Sequence, residues 1–114
     1  MQFLYIAKQE LDVTVISLKG ELIERNQGQE LLDEIDSMVV DRHLKYVFDL
    51  GELRYINSSG LSVLINILTK VRKLGGEVII SSVSKKVNEL LIITKLHTIF
   101  TVTDSIDKAI AKLK

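Results

Sequence analysis

The chain has 114 residues, 46% of them hydrophobic and 26% charged, and its fifteen basic residues balance fifteen acidic ones. That length predicts one domain spanning 1–114, and the composition excludes a disordered chain, which needs low hydrophobicity and high net charge. The missing basic excess argues against nucleic acid as a partner, and the absence of cysteine excludes disulfides, a thiol nucleophile and cysteine-ligated metal.

The N-terminal run Met1 to Ile6 is apolar but has neither a basic lead-in nor a small-residue cleavage site, so it does not read as a signal peptide. No uninterrupted apolar stretch reaches the ~20 residues of a membrane helix. A cytoplasmic protein with no membrane partner is expected. Phe3 to Ala7 reads as a first strand. Val13 to Leu18 reads as a second, its β-branched residues alternating with polar ones until Gly20, and Gln9-Glu10-Leu11-Asp12 would join the two in a hairpin. From Asn26 to about Arg42, Leu31, Leu32, Ile35, Met38 and Val39 recur at helical spacing. Tyr46 to Leu50 is a compact apolar run bounded by Gly51, the pattern of a strand covered on both faces.

After a short connection, Ser59 to Leu74 forms the strongest helix, with Leu61, Leu64, Ile65, Leu68 and Val71 as its core stripe. Lys70, Arg72 and Lys73 sit in its last turns, where the helix dipole favours cations, and Gly75-Gly76 stops it. Val63 and Ile67 form a second apolar face, which either packs on a neighbouring helix or offers a contact surface. Val78 to Ser81 is the next strand. Ser84 can cap a helix running through Val87, Leu90 and Leu91 to about Thr94, and Ile99 to Val102 is a last short strand. Asp104 or Ser105 then caps a terminal helix carrying Ile106, Ala109, Ile110 and Leu113. The order β, β, α, β, α, β, α, β, α predicts an α/β fold: a mixed, largely parallel sheet of about five strands with about four helices.

No enzyme chemistry is visible. His43 and His97 lie far apart, and neither has a carboxylate at helical spacing, so no metal site is expected. There is no Gly-x-Ser-x-Gly elbow, no phosphate-binding Gly-x-x-x-x-Gly-Lys loop and no Gly-x-Gly-x-x-Gly after a strand. Acidic pairs such as Glu30/Asp33 and Asp33/Glu34 fall on a helix full of charge and read as a solvated face. No catalytic residue and no cofactor are expected. What stands out is Leu53 to Leu64, where a strand and a connection lead into the longest amphipathic helix. Asn57, Ser58 and Ser59 are all natural N-cap types, and one of them must satisfy the free amides of the first turn.

The segment Asp49-Leu50-Gly51-Glu52-Leu53-Arg54-Tyr55-Ile56-Asn57-Ser58-Ser59-Gly60-Leu61 resembles the signature of STAS-domain anti-sigma-factor antagonists, an Asp-Leu pair after an apolar strand and then Asp-Ser-Ser/Thr-Gly-Leu-Gly. Gly20-Glu21-Leu22, Leu74-Gly75-Gly76-Glu77, and Lys95-Leu96 followed by Ile99-Phe100 match further family features, so the likeness runs from the second strand to the last helix. In that family the first serine of the pair, here Ser58, is phosphorylated by a serine kinase that is also the anti-sigma factor, a histidine-kinase-like ATPase. The unphosphorylated form binds that kinase and displaces a sigma factor, and a metal-dependent serine phosphatase restores it. The resemblance thus implies a non-enzymatic regulator of transcription working by partner switching. Its phosphosite would be Ser58, and its partner-binding residues Asn57, Ser58, Ser59, Gly60, Leu61, Ser62, Glu21 and Ile23.

A phosphate on Ser58 would sit at a helix N-terminus, where free amides and the dipole tolerate negative charge. Three departures from the family bear on the partner. Asn57 stands where phosphorylated members most often have Asp, Ile23 stands where many have another Asp, and Ser62 replaces the last glycine of the motif. The first two remove carboxylates near the phosphosite and so change the electrostatics offered to a kinase. They point to the alternative: a STAS-like module that is not phosphorylated and serves as a scaffold or as a small-ligand or nucleotide sensor.

Overall fold

The computed structural model describes residues 2–113; Met1 and Lys114, the two ends of the expected 1–114 domain, lie outside the described residues. Strands β1 (Phe3–Glu10) and β2 (Val13–Leu22) form the expected antiparallel hairpin about a turn at Leu11-Asp12. The chain continues through α1 (Gln29–Val40), β3 (Lys45–Ile56), α2 (Ser58–Lys73), β4 (Glu77–Ser81), α3 (Lys85–Ile93), β5 (Thr101–Thr103) and α4 (Ile106–Leu113). The five strands lie side by side in chain order, and every pair after the first is parallel. This is the mixed, largely parallel α/β plan that the alternation of patterns predicts.

Strand periodicity divides the core in two. Ile16, Leu18, Tyr46, Phe48, Val78 and Ile80 pack on one face under α1, α2 and α3. Val13, Val15, Val47 and Ile79 pack on the other with Ala109 and Leu113 of α4. Because β3 is covered on both sides, Tyr46, Val47 and Phe48 are buried consecutively, as its unbroken apolar run requires. Tyr5 of β1 donates its hydroxyl to Glu34 of α1 at 3.0 Å, and burial, then Glu34, pushes its pKa up to about 12.

β3 does not stop at Gly51. It runs on to Ile56, paired there with β2 alone (Lys19 with Glu52, Gly20 with Leu53, Glu21 with Tyr55, Leu22 with Ile56), because β4 ends at Ser81 opposite Asp49. Register shifts after Ser17 and after Gly20 break the simple alternation in this half. Gly20 has φ +89°, and a side chain there would meet the Gln2 carbonyl oxygen at 1.9 Å, so only glycine fits the shift. The chain therefore reaches α2 as strand, with no loop before the helix cap.

The second face of α2 is interior. Val63 and Ile67 are 1% and 0% exposed, and Val63 packs directly over Gly28, where an added Cβ would lie 2.6 Å from Val63 Cγ1. Ile65, expected in the core stripe, is only partly buried. Between β2 and α1 the expected helical start at Asn26 is a 3-10 turn over Arg25–Gly28, held by Gln27 Oε1, which accepts from the amides of both Ile23 and Glu24 at 2.9 Å. The last strand is shifted as well. Ile99 is exposed after a 3-10 turn over Leu96–Thr98, Phe100 drops into the core, and pairing begins only at Thr101. Of the two candidate caps for α4, Ser105 does the work, its Oγ accepting from Lys108 N at 3.2 Å.

Candidate functional site

The parallel strands β2 and β3 end at the same edge of the sheet, and the chain leaving β3 enters α2 at once. Of the three candidate caps, Asn57 is the one used. Its backbone is extended (φ −118°, ψ −171°), and its Oδ1 accepts from Gly60 N at 3.0 Å. Its Nδ2 donates to the Ile23 carbonyl oxygen, also at 3.0 Å. One amide side chain thus fastens the start of α2 to the segment leaving β2. An aspartate could make the first bond but not the second, because an ionised carboxylate has no proton to donate. The contact accounts for asparagine at position 57, whereas at position 23 it uses only the main chain and is indifferent to the side chain.

Ser58 is the first residue of α2 and is exposed, with no hydrogen bond from its Oγ among the described residues. Its carbonyl oxygen accepts from Ser62 Oγ at 3.0 Å, so the extra hydroxyl of Ser62 is turned back onto the helix. Ser59 is half-buried beside it; Glu21, near the end of β2 and in register with Tyr55, and Ile23, just past that end, are both half-buried. Two of the expected contact residues are buried. Gly60 is buried, with no room for a Cβ against the Leu22 carbonyl oxygen, and Leu61 is a core residue at 3% exposure. Both lie inside the helix start and fix its position against β2 and the core.

Residues beyond those expected complete the surface. A groove of about 470 Å³ lies between the β3–α2 junction and α3, lined among others by Arg54, Tyr55, Ser58, Lys86, Leu90 and Ile93. Tyr55 and Ile93 are 52% and 78% exposed, large apolar groups left at the rim of the groove that Ser58 lines. Arg54 and Tyr55 fall in what reads as a connection, and Ile93 lies off the Val87 and Leu91 stripe of α3. An apolar residue off its helix's buried face was the available signal. No group of three or more metal-type ligands converges among the described residues, and His43 and His97 make separate contacts, with Gln9 and with the Leu91 carbonyl. No helix among them is long and apolar enough to cross a membrane.

Asn57→Ala removes both bonds and is expected to cost about 1–2 kcal/mol, whereas Ser58→Ala, at an exposed hydroxyl without a partner, should stay within about 0.5 kcal/mol. Urea denaturation of the two variants checks this. A larger loss at position 58 than at 57 would move the cap.

A family model of the STAS domain matches residues 5–109, from the first strand to the last helix. BtrV of Bordetella bronchiseptica, named as a candidate anti-sigma factor antagonist, is 27% identical over 109 residues, covering 96% of this chain and 94% of its own. A Thermotoga maritima protein described in the same terms superposes with a TM-score of 0.84 at 25% identity, over 96% of this chain and 93% of that one. SpoIIAA, an anti-sigma factor antagonist, shares the fold in both its states. Its unphosphorylated form gives a TM-score of 0.75 at 14% identity over 96% of each chain. The phosphorylated form, from Bacillus, gives 0.76 at 15% identity over 97% of this chain and 100% of its own. With the match spanning strands, helices and the capped junction between β3 and α2, the chain belongs to the STAS domain family.

Proposed function

We propose that this protein is an anti-sigma factor antagonist that acts by binding and performs no catalysis, with Ser58 as its switch. The observation that carries the reading is the placement of Ser58: an exposed hydroxyl, free of internal bonds, on the first residue of a helix whose start is held by Asn57 and Gly60. The names of the relatives and the solution of SpoIIAA in phosphorylated form support it. The partner is an anti-sigma factor that is also a serine kinase of the histidine-kinase-like ATPase type, met in the cytoplasm. That kinase moves the γ-phosphoryl group of ATP to Ser58 Oγ: the bond to ADP breaks, the Oγ–P bond forms, and the hydroxyl proton leaves to a base of the kinase. A metal-dependent serine phosphatase hydrolyses the ester and returns the hydroxyl. Asn57, Ser59, Ser62, Glu21 and Ile23 surround the switch, and Tyr55 and Ile93 add apolar contact area beside it.

Incubation with the cognate anti-sigma kinase and ATP is expected to add one phosphate by intact mass, mapped to Ser58 and lost in Ser58→Ala. A phosphate elsewhere with Ser58 untouched overturns the assignment. A second reading, the unphosphorylated scaffold or small-ligand sensor, is favoured by the Asn57–Ile23 contact, which occupies positions where phosphorylated members carry carboxylates. Full binding to the assembly with no modification of Ser58 under any growth condition would establish that reading instead.

A further inference from the structure

We infer that a phosphate on Ser58 is held within the same chain by a clamp of two cations, Arg54 from β3 and Lys86 from α3. The inference rests on Ser58 being the phosphosite. All three residues line one groove of about 470 Å³, Arg54 and Ser58 from the strand–helix junction and Lys86 from the helix opposite. Both cations are exposed. Lys19, Lys45, Lys70, Arg72 and Lys108 each meet a carboxylate within 4 Å; Arg54 and Lys86 have no such partner among the described residues. Glu89 is the one carboxylate that shares the groove, which leaves two positive charges against one negative charge beside the hydroxyl.

In the unmodified chain the groove carries an excess of positive charge. A phosphoserine brings a charge of about −1.5 to −2 and three acceptor oxygens. The guanidinium can take two of those oxygens as a fork, and the ammonium can take the third as a point charge. Both side chains are long, and neither has a carboxylate partner among the described residues, so each is free to turn toward the phosphate. The phosphate would then lie over the groove between Tyr55 and Ile93. The apolar rim offered to the anti-sigma factor would be capped from within, and the switch would act by occupying the groove as well as by adding charge.

The test uses full-length protein with phosphoserine installed at position 58 during translation by codon reassignment. Its outcome does not depend on any kinase, so failure of the kinase to modify Ser58 and failure of the clamp are separate results. The second ionisation of the phosphate is followed by phosphorus NMR against pH. Removing the cations in Arg54→Gln/Lys86→Gln is expected to raise that pKa by at least about 0.3 unit, the lower end for two exposed ion pairs, and the difference should shrink as salt is added. Arg54→Lys/Lys86→Arg keeps both charges and should keep the lower value, and Lys112→Gln, on α4, should leave it unchanged. An identical pKa in the Gln pair and its parent, with the fold verified by amide spectra, overturns the clamp. Unmodified protein titrated with inorganic phosphate is expected to show no saturable binding, because tethering supplies the local concentration that fills so weak a site. Tight binding of free phosphate would assign the groove to a diffusible anion and likewise overturn it.

Discussion

A phosphate on Ser58 is expected to weaken binding to the anti-sigma partner about a thousandfold while changing the stability of the fold by no more than about 1 kcal/mol. The two effects separate because of where the residue sits. Ser58 is exposed on the first turn of α2, where helix amides and dipole tolerate a negative charge, and its hydroxyl holds nothing together in the unmodified chain. No core contact is lost on modification. A partner laid over that helix end would have to bury a charge of about −1.5 to −2, and desolvating it against an unmatched surface costs several kcal/mol. A penalty of about 4 kcal/mol corresponds to the thousandfold loss. Calorimetric titration of the partner with the unmodified and the phosphoserine-containing protein reads the first quantity, and urea denaturation of the same two samples reads the second. A loss below about tenfold would place Ser58 outside the interface. A large fall in the urea midpoint would mean that the phosphate acts by loosening the fold. Ser58→Ala should bind as the unmodified chain does.

Most of the fold is legible in the sequence where one residue pattern has one physical cause. Tyr46 to Phe48 is an unbroken apolar run because both faces of β3 are covered, and the period of α2 marks Leu61, Leu64, Leu68 and Val71 because they face the sheet. The failures fall where two causes compete. Gly51 looks like a strand end, yet β3 passes through it, since its second half needs only β2 as a neighbour and the register shifts there erase alternation. Ile99 and Phe100 look like a strand because they are apolar, but Phe100 is apolar for the core and not for pairing. The width of the apolar sector on α2 is plain from Val63 and Ile67. What covers Val63 is not, because the answer is Gly28 in a distant turn whose missing side chain makes the room.

The site divides in the same way. That a cap must lie within Asn57-Ser58-Ser59 follows from composition alone, but which residue serves depends on reach, and only Asn57 Oδ1 meets the amide three residues on. Ile23 reads as a missing carboxylate, whereas its contribution is a main-chain carbonyl that no side-chain comparison could reveal. The groove is beyond sequence reading altogether, because Lys86 and Ile93 come from α3 and meet Arg54, Tyr55 and Ser58 only once the sheet has placed both helices along one edge.

Gly60→Ala is expected to destabilise the protein by about 1–3 kcal/mol and to displace the helix end that presents Ser58. A Cβ at position 60 would lie 2.1 Å from the Leu22 carbonyl oxygen, 3.0 Å from its carbon and 2.7 Å from Ile56 Cγ1. The nearest of these atoms is main chain and cannot rotate away. Leu22 is fully buried and paired with Ile56, and the next carbonyl, that of Ile23, is bound to Asn57. Either the end of β2 or the first turn of α2 must move, and moving the turn breaks the Asn57 cap. Overpacking of this kind costs about 1–3 kcal/mol, loss of a cap about 1 more, and the better helix propensity of alanine returns about 1. Gly75→Ala is the comparison, since a Cβ there meets nothing within 4 Å and only the positive φ of +85° is penalised, about 1–2 kcal/mol. Urea denaturation should therefore rank Gly60→Ala below Gly75→Ala, and the kinase should modify Ser58 more slowly in the first variant alone. Equal stability of Gly60→Ala and the parent would show that α2 can slide along β2 at no cost. The close approach of helix and strand would then not be what holds Ser58 at the surface.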